Sequence, residues 1–350
     1  MVYITGNQGG SFMKQEKNKK PRKGLKTLLI VFFLFLALLA AALIYGYSKL
    51  SKISYDDADI VFAESETETG TGTEKVLTKE EVAEEIAEEA VRQNIALPEK
   101  KKETKSDVVN ILFLGTDMRI KGTSDPGRAD STMLCSLNMK TGDVKLISFE
   151  RGIYVPVPGQ GQDLLTHAYH WGGANLSQSI IEECFQLDVA GYAQVDFDSF
   201  KLVIDTIGGV DIELTNAEAG VLGLRSGLQH LDGEQALAYC RLRSIDSDWQ
   251  RQERQRNTIT AALKQVRSLS LSELDSTMNT LLPLIHTNLS KTQISSLFLN
   301  ATKFIQGDVS QLQVPDKNST NGYIKCDFPY EHKKICNFIY DTNFDITSPY

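Results

Sequence analysis

Two carboxylate–arginine pairs stand at the edges of apolar runs. Asp117 and Arg119 close "NILFLGTDMR", Arg128 and Asp130 open "GRADSTML", and Arg151 lies just past "GDVKLISF". If those runs are strands, the charged groups gather at strand ends, where α/β sheets usually bind ligands. Paired carboxylates such as Asp117 and Asp130 can hold Mg²⁺, and guanidinium groups can neutralise phosphate oxygens. The set therefore points to a metal–phosphate site. Taken singly, each Asp–Arg pair reads as a surface ion pair or a turn.

More cations come from "YCRLRSIDSDWQRQERQRN", residues 239–257. It holds five of the chain's 12 arginines and no lysine, in a protein of formal net charge -8. Arg251, Arg254 and Gln255 are spaced i, i+3, i+4 and share one helical face near a helix N-terminus. Arginines there oppose the macrodipole, and a bound anion would remove that cost while using the exposed N–H groups. Arg241 and Arg243 alternate on an extended piece just upstream. Arg256 points elsewhere and reads as part of a solvated face balanced by Glu253, Asp246 and Asp248. Arginine rather than lysine is the residue type that reads phosphate or carboxylate bidentately.

Other chemistries find less support. His167 and His170 in "THAYHWGG" have no carboxylate or His partner at metal spacing, and His167 reads as a structural hydrogen-bonder. Ser131 and Ser148 lack a GxSxG context. No Walker or GxGxxG phosphate loop is present, and "GQG" at 159–161 reads as a turn. Of the five cysteines, Cys135, Cys184 and Cys240 sit in apolar runs and read as buried thiols. Cys326 and Cys336 flank a polar loop, where a disulfide is plausible outside a membrane.

The elements that must position these residues follow from periodicity. Segments 108–115, 131–139 and 142–149 read as strands, with a turn at 140–142. Strands at 192–197 and 210–214 alternate with helices at 175–187, 198–209, 232–242 and 251–269, and two more helices follow at 270–285 and 290–305. This alternation predicts an α/β/α layered domain, and the short turn between two neighbouring strands makes its central sheet mixed. Residues 308–350 show weak periodicity and stay unplaced.

Ahead of the domain lie three different segments. Residues 1–27 carry seven basic residues against Glu16 alone, and residues 28–47 are 20 residues without charge or proline. At about 1.5 Å per residue that run matches the roughly 30 Å hydrocarbon core of a bilayer. It reads as a transmembrane signal-anchor with residues 1–27 in the cytoplasm, being longer than the usual signal-peptide core. Residues 48–106 read as an acidic extracytoplasmic linker with a short solvated helix at 78–93, started by a Thr78–Glu81 capping box.

Together the segments "NILFLGTDMR", "GRADSTML", "GDVKLISFERGIYVPVPGQG", "LLTHAYHWGG", "FDSFKLVIDTIGGVDIEL", "LDGEQALAYCRLR" and "RQERQR" resemble, in order and spacing, the LytR-CpsA-Psr family of cell-envelope transferases. The resemblance spans about residues 107–300. It implies an N-terminal membrane anchor, with a domain at 107–307 lying outside the membrane. That domain would transfer a glycopolymer, a teichoic acid or capsular polysaccharide, from a polyprenyl-pyrophosphate carrier to a muramic sugar hydroxyl of peptidoglycan, releasing polyprenyl phosphate. It further implies Mg²⁺ (or Mn²⁺) as cofactor and an apolar tunnel for the prenyl chain. By motif match Asp117 and Asp130 take metal or base roles. Arg119, Arg128, Arg151, Arg241, Arg243, Arg251 and Arg254 take the phosphate clamp, supported by Gln255.

The sequence departs from the family at Glu150-Arg151-Gly152, where the family usually reads Pro-Arg-Asp. That removes an acid beside Arg151, and Glu150 points to the opposite side of the strand. Two further functions share such a site: a non-catalytic binder of the lipid carrier, and a pyrophosphatase using water as acceptor. A nucleic-acid-binding regulator does not fit an acidic domain with no DNA-reading module.

Overall fold

The structure is a computed structural model that describes residues 48–56, 60–62, 75–117, 127–315 and 324–346. The basic tail, the apolar run 28–47 and Arg119 lie outside these residues. No helix among the described residues is long and apolar enough to cross a membrane.

Short strands β1 (Ser54–Tyr55), β2 (Ile60–Phe62) and β3 (Lys75–Leu77) lead into the antiparallel meander β4 (Val108–Thr116), β5 (Ala129–Asn138) and β6 (Val144–Phe149). A hairpin of β7 (Tyr154–Val157) and β8 (Gly161–Leu164) follows, then β9 (Gly191–Asp196), the hairpin β10 (Val210–Leu214) and β11 (Gly227–Leu231), β12 (His286–Thr287) and β13 (Val309–Val314). Seven of them form the central sheet, in the order β1-β12-β9-β4-β5-β6-β13. β9 runs parallel to β4, and β13 parallel to β6. The sheet is mixed, as the strand–turn pattern predicts.

Alternation along β4 separates two cores. Leu112 and Leu114 join one apolar cluster, Ile111 the other, as period-2 side chains on a two-faced sheet must. The first face is covered by helices Leu165–Phe185, Lys79–Arg92 and Phe328–Tyr340, the second by helix Lys291–Gln306 and flanking segments. A third cluster sits under the β10–β11 hairpin.

Three expectations are corrected. The helix at 78–93 is not a solvated spacer: its stripe Val82, Ile86 and Ala90 is buried to 0–1% in the first core. Val82 and Ile86 each contribute about 1.5–3 kcal/mol on burial. Its capping box is present, with Glu81 N–H donating to Thr78 Oγ1 and Thr78 N–H donating to Glu81 Oε2. The domain limits 107 and 307 are both too narrow, because β13 completes one sheet edge and helix Phe328–Tyr340 packs into the core. A ladder of rings fixes that last helix: Phe149 lies 4.7 Å from Phe185, and Phe185 5.2 Å from Phe328. Finally, Cys326 and Cys336 are both free thiols. Cys336 is buried inside the helix and faces His332, so its sulfur is committed to core packing, and burial pushes its thiol up to about 12. Cys135, Cys184 and Cys240 are buried free thiols, as read from the sequence.

Candidate active site

The site begins with a bulge. β4 and β5 pair Gly115 with Ser131 but Thr116 with Ala129, so Asp130 is the extra residue. The consequence is visible in the core. Ala129 and Leu134, five positions apart, pack in the same cluster, which strict alternation forbids and one inserted residue permits. The bulge re-aims Asp130 beside the end of β4, where Asp117 is buried and its N–H donates to the Arg128 carbonyl at 2.9 Å.

The second half of the site is the start of helix Asp248–Val266. Ser247 caps it by accepting from Trp249 N–H at 3.2 Å, which leaves Asp248 in the first turn, where the macrodipole favours an anion. Asp248 is the hub. Its carboxylate accepts from Arg151 Nε at 3.2 Å and lies 3.3 Å from Arg251 Nη1 and 3.9 Å from Arg243 Nε. Burial alone would raise this carboxyl; the Arg251, Arg151 and Arg243 charges outweigh it and hold Asp248 below the ordinary carboxylate range. Asp130 closes the ring, accepting from Arg151 Nη1 at 3.0 Å with Arg243 Nη2 3.8 Å away. Arg151 thus donates to two carboxylates, Asp130 and Asp248, although residue 152 is glycine. Sequence reasoning treated Asp248 only as a balancing charge; its place directly after a Ser cap and three residues before Arg251 was the available signal.

Arg251 is the anomaly. It is 1% exposed, yet none of its three guanidinium nitrogens makes a hydrogen bond among the described residues. Buried polar groups are almost always bonded, and a cation left so carries a large cost. Burial pulls its basicity down; Asp248 offsets part of this, and the Arg243 and Arg151 charges add to it. Behind it lies Glu150, also 1% exposed, accepting from Gln252 Nε2 at 2.7 Å. Burial first, and then the Asp248 charge, push the Glu150 carboxyl up to about 7.

Of these groups Glu150, Arg151 and Asp248 line a cleft of about 440 Å³, together with Arg128, Thr166 and His167. Not every expected residue joins them. Arg254 is buried, and its two Nη atoms donate to both Asp246 oxygens at 2.6 and 2.7 Å, to Glu218 at 3.3 Å and to the Leu242 carbonyl at 2.8 Å. Its Nε alone has no hydrogen-bond partner, so most of its donors serve the scaffold. Arg241 lies with its guanidinium 4.6 Å over the Phe197 ring. Gln255 accepts from Ser131 Oγ at 3.0 Å and so ties the helix to β5 beside the bulge. Arg256 is not solvated but buried, donating to Gln311 and Gln313 of β13. His167 does make a hydrogen bond, to Asp163 at 2.7 Å, and that carboxylate four residues upstream was overlooked.

Asp117 and Asp130 fit a hard divalent cation. Both are carboxylate oxygen donors, Asp117 just past β4 and Asp130 within β5, the latter beside the Arg151 guanidinium. Among the described residues no three His, Cys, Asp or Glu side chains converge as a metal cage. A cation here would take its remaining ligands from phosphate oxygens and water, which is the habit of Mg²⁺.

Comparison with known proteins identifies the family and the fold. The sequence model of the LytR_cpsA_psr family matches residues 68–339. Over 223 residues the chain is 34% identical to the polyisoprenyl-teichoic acid–peptidoglycan teichoic acid transferase TagU of Bacillus mycoides, a match covering 62% of this chain and 72% of that protein. Its fold is similar to that of TagT bound to LIIa-WTA, with TM-score 0.55 and 28% identity over 70% of this chain and 97% of the other. It is also similar to YwtF (TagT) with bound octaprenyl pyrophosphate lipid, with TM-score 0.52 and 26% identity over 70% of this chain and 97% of that one.

Proposed function

This chain belongs to the LytR-CpsA-Psr family, and from that premise we propose that it transfers a teichoic-acid- or capsule-type glycopolymer from a polyprenyl-pyrophosphate carrier to peptidoglycan. Polyprenyl phosphate is the product released. The single observation that carries the reading is Arg251, a fully buried guanidinium with three unbonded nitrogens facing the Asp248 ring. A pyrophosphate supplies the acceptors that guanidinium lacks.

In this reading Arg128, Arg151, Arg243 and Arg251 hold the pyrophosphate, with Arg119 joining from the segment after β4. In phosphoryl transfer the charge sits on oxygens, so preorganised cations supply most of the rate. Asp248 and Asp130 keep those cations spaced and oriented before substrate arrives. Asp117 and Asp130 would hold Mg²⁺ or Mn²⁺, which when bound adds positive charge at the transferring phosphoryl group. Residues 28–47 anchor the chain in the membrane, residues 1–27 stay in the cytoplasm and the α/β domain faces the wall. Nucleic acid is no partner of this site. The non-catalytic alternative loses its main support, since the hydrogen bonds of Arg151 survive the loss of an acid at 152.

The test is binding of octaprenyl pyrophosphate by the full chain in detergent. Arg251→Ala should weaken it about ten- to hundred-fold, and Arg251→Lys, which keeps the charge but not the fork, should recover only part. Unchanged affinity in both variants would remove Arg251 from the clamp.

A further inference from the structure

The clamp explains how the pyrophosphate is held but leaves the acceptor's proton without a destination. Asp130 is already engaged on both oxygens: one accepts from Arg151 at 3.0 Å, and Arg243 Nη2 lies 3.8 Å from the other. A carboxylate–imidazole pair, Asp163 and His167, reaches the same cleft through the His167 ring.

We propose that His167, oriented by Asp163, is the general base that takes the proton from the acceptor hydroxyl; this rests on the transfer reading of the site. His167 lines the cleft together with Arg128, Arg151 and Asp248. Its position is fixed by its neighbours in the first turn of helix Leu165–Phe185. Leu165 N–H donates to the Ile153 carbonyl at 2.8 Å and Thr166 N–H to the Arg151 carbonyl at 3.1 Å. Thr166 Oγ1 donates to the carbonyl of Ala129, next to Asp130, at 2.9 Å. The imidazole therefore sits at the seam between the two arginine-bearing strand ends.

Asp163 is arranged to orient, not to react. It accepts from Leu164 N–H at 2.7 Å, His167 Nδ1 at 2.7 Å and Trp171 Nε1 at 2.8 Å. Burial acts to raise this carboxyl, but the bonds from Trp171, His167 and Leu164 outweigh it and hold it below its ordinary value. An ionised partner on Nδ1 places the ring hydrogen there and leaves the Nε2 lone pair for a substrate proton. His167 is three-tenths exposed, open enough to be reached.

The acceptor O–H breaks and its proton goes to Nε2. The oxygen electron pair forms the new O–P bond at the phosphorus that carries the glycopolymer. The P–O bond to polyprenyl phosphate breaks, and its electron pair leaves with that product, which the arginines hold. The imidazolium then returns its proton to the departing phosphate or to water.

The test uses the full chain in detergent, a polyprenyl-pyrophosphate-linked wall teichoic acid precursor as donor and a peptidoglycan glycan fragment as acceptor. His167→Ala should lose about a hundred-fold or more in kcat, with octaprenyl pyrophosphate affinity within about two-fold of the parent, as expected of a group that acts on the proton and not on the lipid. Added imidazole should restore at least about ten-fold of that loss, because it supplies the missing base. His167→Gln, which keeps a hydrogen bond to Asp163, should be equally slow and not rescued. Near-parental kcat in either variant overturns the proposal, and so does a loss that imidazole does not lift. A parent protein that neither binds octaprenyl pyrophosphate nor transfers refutes the arginine reading itself, and this inference falls with it.

Discussion

At Arg251 and Arg254 the same residue type has two fates. They are three positions apart on one helix and both buried, yet Arg254 bonds Asp246, Glu218 and the Leu242 carbonyl through both Nη atoms, leaving only Nε without a partner, while Arg251 has no hydrogen bond. Helical spacing and motif match put both in the clamp, because a sequence shows which face a side chain takes but not which acceptors meet it there. Glu150 carries a consequence that pH reveals. Its carboxyl titrates near 7 in the fold, against an ordinary value of 4.5. The folded state therefore keeps a proton that the unfolded chain has lost between those values, and stability falls as pH rises across that window. The slope is at most about 1.4 kcal/mol per pH unit. Denaturant unfolding from pH 5 to 8 should show the parent losing stability relative to Glu150→Gln as pH approaches 7, after which the gap levels off. Parallel curves would mean that Glu150 titrates no differently in the two states.

Among the elements, the strands were the most legible. Apolar runs bounded by turns located β4 and β6, and Asp117, Asp130 and Arg151 lie at strand ends as read, while Arg119 lies outside the described residues. The bulge at Asp130 was not legible, because it is a property of the pairing between β4 and β5 and not of either strand alone. The helix from Leu165 was placed ten residues late for a similar reason. Its first part ends at a kink where Gly172 and Gly173 leave helical geometry, with Gly173 at φ 65°, and only the second part has an unbroken apolar stripe. The Phe328–Tyr340 helix was missed because its burial depends on rings contributed by Phe149 and Phe185, far away in sequence. Phe328→Ala should therefore cost about 3–5 kcal/mol of unfolding free energy. A change below about 1 kcal/mol in the full chain would show that this helix is an accessory to the fold.

For the whole molecule, the layered mixed-sheet architecture was legible from strand–helix alternation, whereas its extent was not. The fold draws on both sides of the expected domain, taking a helix and an edge strand from the acidic stretch before it and β13 with the last helix from after it. Long-range pairing of this kind has no local signature. The arrangement gives the site its logic: the sheet supplies Asp117, Asp130 and Arg151 at strand ends, one helix start supplies Asp248 and Arg251, and a second supplies His167. In the proposed function this cleft moves a glycopolymer from a pyrophosphate carrier to a hydroxyl acceptor. The most direct measurement is the release of polyprenyl phosphate by the full chain from a lipid-linked wall teichoic acid precursor, with Mg²⁺, in the presence and absence of peptidoglycan glycan. Release that depends on the acceptor, with the polymer recovered on the glycan, is the predicted result. Release at the same rate without acceptor would instead make the protein a pyrophosphatase, and no release under either condition would contradict the catalytic reading.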